Sequence, residues 1–168
     1  MARAAEELQV PFIASGGIAN GQGLAAALAL GAAGANMGTR FMCTKEAEIH
    51  QNVKQHIVNS DERDTIHIFR SLRNTARVFK NKVAKEVVAL ERRPGGAQFK
   101  DVQHLVSGAR GRTVYTDGDV DAGIWSAGIT VGLIHDIPSC DELVRNMERD
   151  AEKHINRLNA VVGRQANL

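Results

Sequence analysis

At 168 residues, 43% hydrophobic and 24% charged, the chain has the composition of a globular protein with one sizeable core, which excludes a disordered or fibrous polypeptide. A net charge of only +2, basic residues interleaved with acidic ones and 4% aromatic content leave no footprint for nucleic acid. Cys43 and Cys140 lie far apart without a CxxC spacing, no stretch reaches membrane-spanning length and no secretory leader is seen, so neither metal site nor disulfide framework is expected and a cytoplasmic location is.

Residues Arg3 to Leu8 read as the tail of a helix that leads into Val10-Pro11-Phe12-Ile13-Ala14, a short apolar run predicted as a strand buried on both faces. The strand ends at Ser15-Gly16-Gly17. Without Cβ atoms, Gly16 and Gly17 allow a sharp turn and close approach of a ligand, and Asn20 is a suitable N-cap for a helix from about Gly21. A second strand, Gly34-Ala35-Asn36-Met37, runs into a second turn at Gly38-Thr39-Arg40. Together these make one β-α-β unit whose two glycine turns leave neighbouring parallel strands at the same end. Free amides and a helix amino terminus there suit a phosphate group. A structural turn with an Ala/Leu helix on a sheet would explain either motif alone; their joint spacing favours the phosphate site. Arg40 is the rival ligand, because a guanidinium can hold phosphate bidentately.

Further along, Thr44 is expected to cap a helix with Glu46 and Glu48 in its first turn and Ile49, Val53 and Ile57 inward. His50 and His56, six apart, do not share a face as metal ligands would, and read as surface residues. Thr65 to Phe69 alternates as a strand or an extended connector. Arg73 and Arg77 have the i, i+4 spacing that could face an anion or simply water. Val83, Val87 and Leu90 mark a helix closed by Arg92-Arg93 and Pro94-Gly95-Gly96, and Phe99, Val102, Leu105 and Val106 mark another ended by Gly108. The acidic run from Asp117 lacks the glycine and glutamate register of a calcium loop and reads as the start of a buried helix over Ile124 to Ile134, with Gly123, Gly128 and Gly132 allowing close approach. Ser139 to Glu142 is a capping box that opens a long helix with Leu143, Met147, Ala151, Ile155 and Leu158 inward, followed by a weakly patterned tail, Val161 to Leu168.

The SGGI and MGTRF strings resemble the flavin phosphate site of the nitronate monooxygenase family, formerly 2-nitropropane dioxygenases, which are FMN-dependent TIM-barrel enzymes. The glycine pair followed by ALALGA is shared with IMP dehydrogenase-like barrels and flavin-dependent enoyl-ACP reductases, whereas the GDVDAGIWSAG and DIP strings are similar to the nitronate monooxygenases. The resemblance implies an α/β fold: the last two βα units of an FMN-binding TIM barrel over residues 1–60, an added, mainly helical domain with a return helix over 61–138, and a carboxyl-terminal helix and tail over 139–168. A barrel needs about 250 residues, so this chain reads as a truncated one with six strands missing upstream. The implied cofactor is FMN, held by Ser15, Gly16, Gly17, Gly38 and Thr39. The implied activity is oxidative denitrification of an alkyl nitronate with O2. An NAD(P)H-dependent flavin enoyl-ACP reductase and a non-catalytic phosphate-binding remnant are the alternatives. The family's catalytic histidine belongs to the missing part, and none of His50, His56, His67, His104, His135 or His154 matches its motif, so no catalytic residue is assigned. Ile129 stands where the family carries Gln after SAG. The expected partners are a small nitronate and O2; a homo-oligomer is left open.

Overall fold

A computed structural model describes residues 1–165. After a short helix α1 (Ala2–Glu7), the chain forms strand β1 (Ile13–Ser15), helix α2 (Gly21–Ala29) and strand β2 (Gly34–Asn36). The strands pair in parallel, with Ile13 opposite Gly34 and Ser15 opposite Asn36. Local chemistry explains why α2 begins where it does: the Asn20 side chain accepts from Gly23 N at 2.9 Å, satisfying one of the free amides of the first turn.

The strand is not buried on both faces. Ala14 packs in a core with Ile18, Ala27, Ala32, Leu143 and Met147, while Ile13 is 57% exposed and Ser15 is exposed. Successive strand side chains point to opposite faces, and this two-stranded sheet has helices packed on one of them.

Helix α3 (Thr39–Met42) follows β2 directly, and α4 (Gln51–Val58) comes next. Thr44 does not cap α4. Its hydroxyl donates to Phe41 O at 2.8 Å, closing α3, while Lys54 reaches back from α4 to Thr44 O at 2.7 Å and pins the connecting loop. His50 is the cap instead, its Nδ1 accepting from Asn52 N at 3.1 Å. Val53 and Ile57 are fully buried as their spacing predicts, and His50 and His56 are exposed.

Residues 61–138 contain more strand than expected. Thr65–Ile68 (β3) and Ala76–Phe79 (β4) form an antiparallel hairpin, Thr65 opposite Phe79, on which α5 (Lys82–Glu91) and α6 (Phe99–Val102) pack around Ile68, Val78, Val87 and Val102. Arg73 therefore sits in the loop with φ +55° and Arg77 in β4, so the two do not share a helix face. Gly108 begins a helix rather than ending one: α7 (Gly108–Asp117) runs to Gly118, whose φ of +76° makes it the left-handed cap.

The helix expected over Ile124 to Ile134 is absent. The chain there is extended and adds itself to β4, with Phe79 N donating to Trp125 O at 3.0 Å and Val78 bridging Ser126, before a 3-10 turn at Ile129–Leu133. Gly123, Gly128 and Gly132 weaken a helix, whereas the open edge of β4 offers hydrogen bonds immediately. Trp125, 2% exposed, stacks on Phe79 with centroids 4.4 Å apart. A central core joins both regions: Cys43, Val53 and Ile57 meet Val114, Trp125, Val131 and Ile134.

The last helix, α8 (Cys140–Gln165), starts with the predicted box: Glu142 N donates to Ser139 Oγ at 3.1 Å and Ser139 N to Glu142 Oε2 at 2.7 Å. Leu143, Met147 and Ala151 are buried, but Ile155 and Leu158 are exposed, because the distal turns run past the core. The helix takes in the first part of the expected tail; residues 166–168 lie outside the described residues.

The Ser139 amide, then the Lys45 ammonium, hold the Glu142 carboxyl at about 2, below its ordinary 4.5. Because the folded value is the lower one, this cap stabilises the fold above about pH 4.5 and is lost as pH falls toward 2. Glu142→Gln should lower the melting temperature at pH 7, and its difference from wild type should shrink to nothing near pH 2; a pH-independent difference in thermal melts would show that the box is not coupled to folding.

Candidate functional site

The two glycine turns emerge from the same end of the parallel strand pair. Gly16 N donates to Asn36 O at 2.9 Å, and Asn36 Nδ2 donates to Ser15 Oγ at 3.1 Å, so the first turn is tied to the strand that leads into the second. Gly16 and Gly17 have φ of +76° and +75°, a region costly for any side chain. Gly38 has φ −90°, open to all residues. At all three, a Cβ built on the backbone meets no atom within 4 Å. The backbone at both turns is therefore bare and faces open space.

Thr39 brings in a distant segment. Its hydroxyl oxygen accepts from Gly128 N at 2.9 Å, which draws residues 128–133 across the turns. A cavity of about 310 Å³ results, lined by Gly17, Glu62, Ile129, Thr130, Gly132 and Leu133. Ile129 is 49% exposed beside it. Two larger cavities lie elsewhere, one of about 500 Å³ between the start of α2 and α8 and one of about 530 Å³ beside the hairpin, and neither is lined by Ser15, Gly16, Gly17, Gly38 or Thr39.

Arg40 is engaged within the fold. It is 3% exposed, its Nη1 lies 2.9 Å from Asp136 Oδ1, and its Nη2 donates to Asp136 O at 3.2 Å and Cys43 O at 3.4 Å. Its two terminal nitrogens are thus taken by Asp136 and the Cys43 carbonyl, while its buried Nε has no hydrogen-bond partner among the described residues. The Thr39–Gly128 and Arg40–Asp136 contacts bridge 89 and 96 residues and have no sequence signature.

Nucleophilic chemistry finds no support here. Burial pushes the Cys43 thiol up to about 11, despite the opposing Arg40 and Lys54 charges, so it stays protonated. No histidine lines the cavity at Gly17, and among the described residues no group of three or more His, Cys, Asp or Glu side chains can hold a metal ion. Nor is any helix among them long and apolar enough to cross a membrane.

The family model described as nitronate monooxygenase matches residues 1–150. The chain belongs to the nitronate monooxygenase family. This is an oxidoreductase family, and its resemblance is carried in the sequence by the SGGI and MGTRF turns together with the GDVDAGIWSAG and DIP strings. Among curated relatives, a (3aS,4S,5R,7aS)-5-hydroxy-7a-methyl-1-oxo-octahydro-1H-indene-4-carboxyl-CoA dehydrogenase of Mycobacterium tuberculosis is 27% identical, over 91% of this chain and 53% of its own length. A nitronate monooxygenase of Paraburkholderia phytofirmans is 30% identical over 92% of this chain and 41% of its own. Among solved structures, FabK from Thermotoga maritima superposes with a TM-score of 0.87 at 29% identity, covering 95% of this chain and 50% of that one. The chain thus spans about half the length of the curated relatives it matches.

Replacing the buried guanidinium tests its structural role. Arg40→Met keeps much of the side-chain volume but leaves the Cys43 and Asp136 carbonyls without a donor, which should cost about 2 kcal/mol in urea denaturation. Unchanged stability would mean that the 128–138 segment is held by other contacts.

Proposed function

We propose that the two glycine turns are the phosphate cradle of FMN, and that the chain is the cofactor-holding part of a nitronate monooxygenase-type oxidoreductase. In this reading residues 1–60 are the last two βα units of a TIM barrel and residues 61–138 an added domain that returns to the cradle. One observation supports the proposal: at Gly16, Gly17 and Gly38, which follow the ends of two adjoining parallel strands, a built Cβ meets no protein atom within 4 Å. That is the shape a phosphate needs, since its oxygens must reach backbone amides without meeting a Cβ.

The residues divide the work. Gly16 has its amide in use with Asn36 and serves the turn, while the amides of Gly17, Gly38 and Thr39 are assigned to phosphate oxygens. The Ser15 and Thr39 hydroxyl oxygens each accept an N–H from the protein, and each hydroxyl keeps its own proton to donate. Ile129 has no amide to offer where the resemblance implies Gln, so this position supplies apolar contact alone. Bound here, FMN supplies the electron acceptor for oxidation of an alkyl nitronate with O2. The proton-transfer residue is assigned to a part of the whole enzyme outside residues 1–168, consistent with a cavity at Gly17 that contains no histidine.

A second reading is supported by the mycobacterial relative, whose name is that of a carboxyl-CoA dehydrogenase: the same cradle serving a flavin oxidoreductase that acts on an acyl-CoA. The cofactor prediction is common to both, and oxygen uptake with an alkyl nitronate against flavin reduction by an acyl-CoA in the whole enzyme separates them.

Gly38→Val is the informative variant. Its φ tolerates a side chain and nothing in the protein lies within 4 Å of the new Cβ, so it should fold as wild type while filling the cradle. FMN affinity, read by quenching of flavin fluorescence, should fall at least about tenfold, or about 1.4 kcal/mol. Wild-type affinity in a variant with a native circular dichroism spectrum would remove the cradle.

A further inference from the structure

The cavity of about 530 Å³ beside the hairpin shares no residue with the glycine turns. It lies between β3, β4 and the end of α5, and its polar lining includes His67, Arg70, Arg77, Glu91 and Arg92. The three arginines come from three places: Arg77 from β4, Arg70 from the start of the hairpin loop, and Arg92 from the carboxyl end of α5. Arg77 is fixed by its Nη1, which donates to Thr65 Oγ1 at 2.8 Å, leaving the rest of its fork free to face a ligand.

Charge in this groove is not balanced from within. Among the described residues, none of Arg70, Arg77 and Arg92 makes an ion pair with a carboxylate. The one acidic side chain lining the groove, Glu91, has both oxygens occupied: Oε2 accepts from Phe69 N and Oε1 from Ser71 N and Ser71 Oγ, each at 2.9 Å. Those bonds hold the loop in a shape that includes a positive φ of +63° at Phe69. The carboxyl end of α5 adds roughly half a negative charge, so that three guanidiniums against one carboxylate still leave a net positive charge.

We propose that this groove binds a phosphorylated small molecule through Arg70, Arg77 and Arg92. A guanidinium presents paired N–H donors at the spacing of two phosphate oxygens, and a phosphate monoester or diphosphate carries the dianionic charge that a single carboxylate lacks. The volume lies within the roughly 300–1,000 Å³ of small-ligand sites. A nucleic acid fits less well, because basic and acidic residues alternate over the rest of the chain and leave no extended basic track leading from the groove. The inference does not rest on the flavin reading.

Isothermal titration of inorganic pyrophosphate, AMP and a twelve-nucleotide single-stranded DNA tests it. Pyrophosphate represents the free anion and AMP the organic phosphate. Both should bind wild type, and the Arg70→Gln/Arg92→Gln double variant, whose changes fall on exposed residues, should weaken both at least about tenfold. Arg77→Gln should do the same. Gly38→Val and the α8 surface variant Arg145→Gln should leave this binding intact. Absence of binding by wild type at millimolar pyrophosphate and AMP would overturn the proposal. So would binding lost in Gly38→Val but kept in the double variant, which would place the anion in the cradle, equal losses in Arg145→Gln, or DNA binding tighter than either small probe.

Discussion

A guanidinium almost sealed from water must find its partners nearby, and for Arg40 those partners are Asp136 and two main-chain carbonyls. That requirement brings residues 128–138 back to the start of α3. With the arginine fixed, the neighbouring Thr39 hydroxyl takes the Gly128 amide, and the return segment is held at two adjacent points. Beside this junction lies the central core in which Cys43 and Ile57 meet Val131 and Ile134.

Close packing at the back of the β-α-β unit complements that tie. A Cβ on Gly21 would lie 2.5 Å from Ala151 N and collide with the Met147 carbonyl, so α2 and α8 meet backbone to backbone where α2 begins. Glycine has a different meaning at each place in this chain. At Gly21 it admits a helix, at Gly118 it reverses the chain beside the His50 ring, and at Gly38 it leaves room that no part of the protein fills.

Elements whose signals are local were legible in the sequence. The Asn20 cap and the Ser139–Glu142 box join residues three positions apart, and the parallel pair joins strands separated by one short helix. The hairpin was harder, because its turn has no glycine: Phe69 and Arg73 adopt positive φ, and the loop is held at Phe69 and Ser71 by Glu91, a residue on α5. The apolar run from Ile124 suits either helix or strand, and the choice was made by the edge of β4, far away in sequence. In the candidate site the three glycines could be read directly. The roles of Thr39 and Arg40 could not, since both are set by partners some ninety residues later.

The stacking of Trp125 on Phe79 has a practical consequence. Trp125 is the sole tryptophan of the chain, and it sits where the return segment joins β4 in the shared central core. Its indole N–H is satisfied by Val120 O at 3.2 Å, so the ring is held both by its face and by its edge. The chain thus carries its single indole at the seam between the β-α-β unit and the hairpin unit. Emission at short wavelength reports a closed seam, and a shift to longer wavelength reports water entering it, with no label introduced.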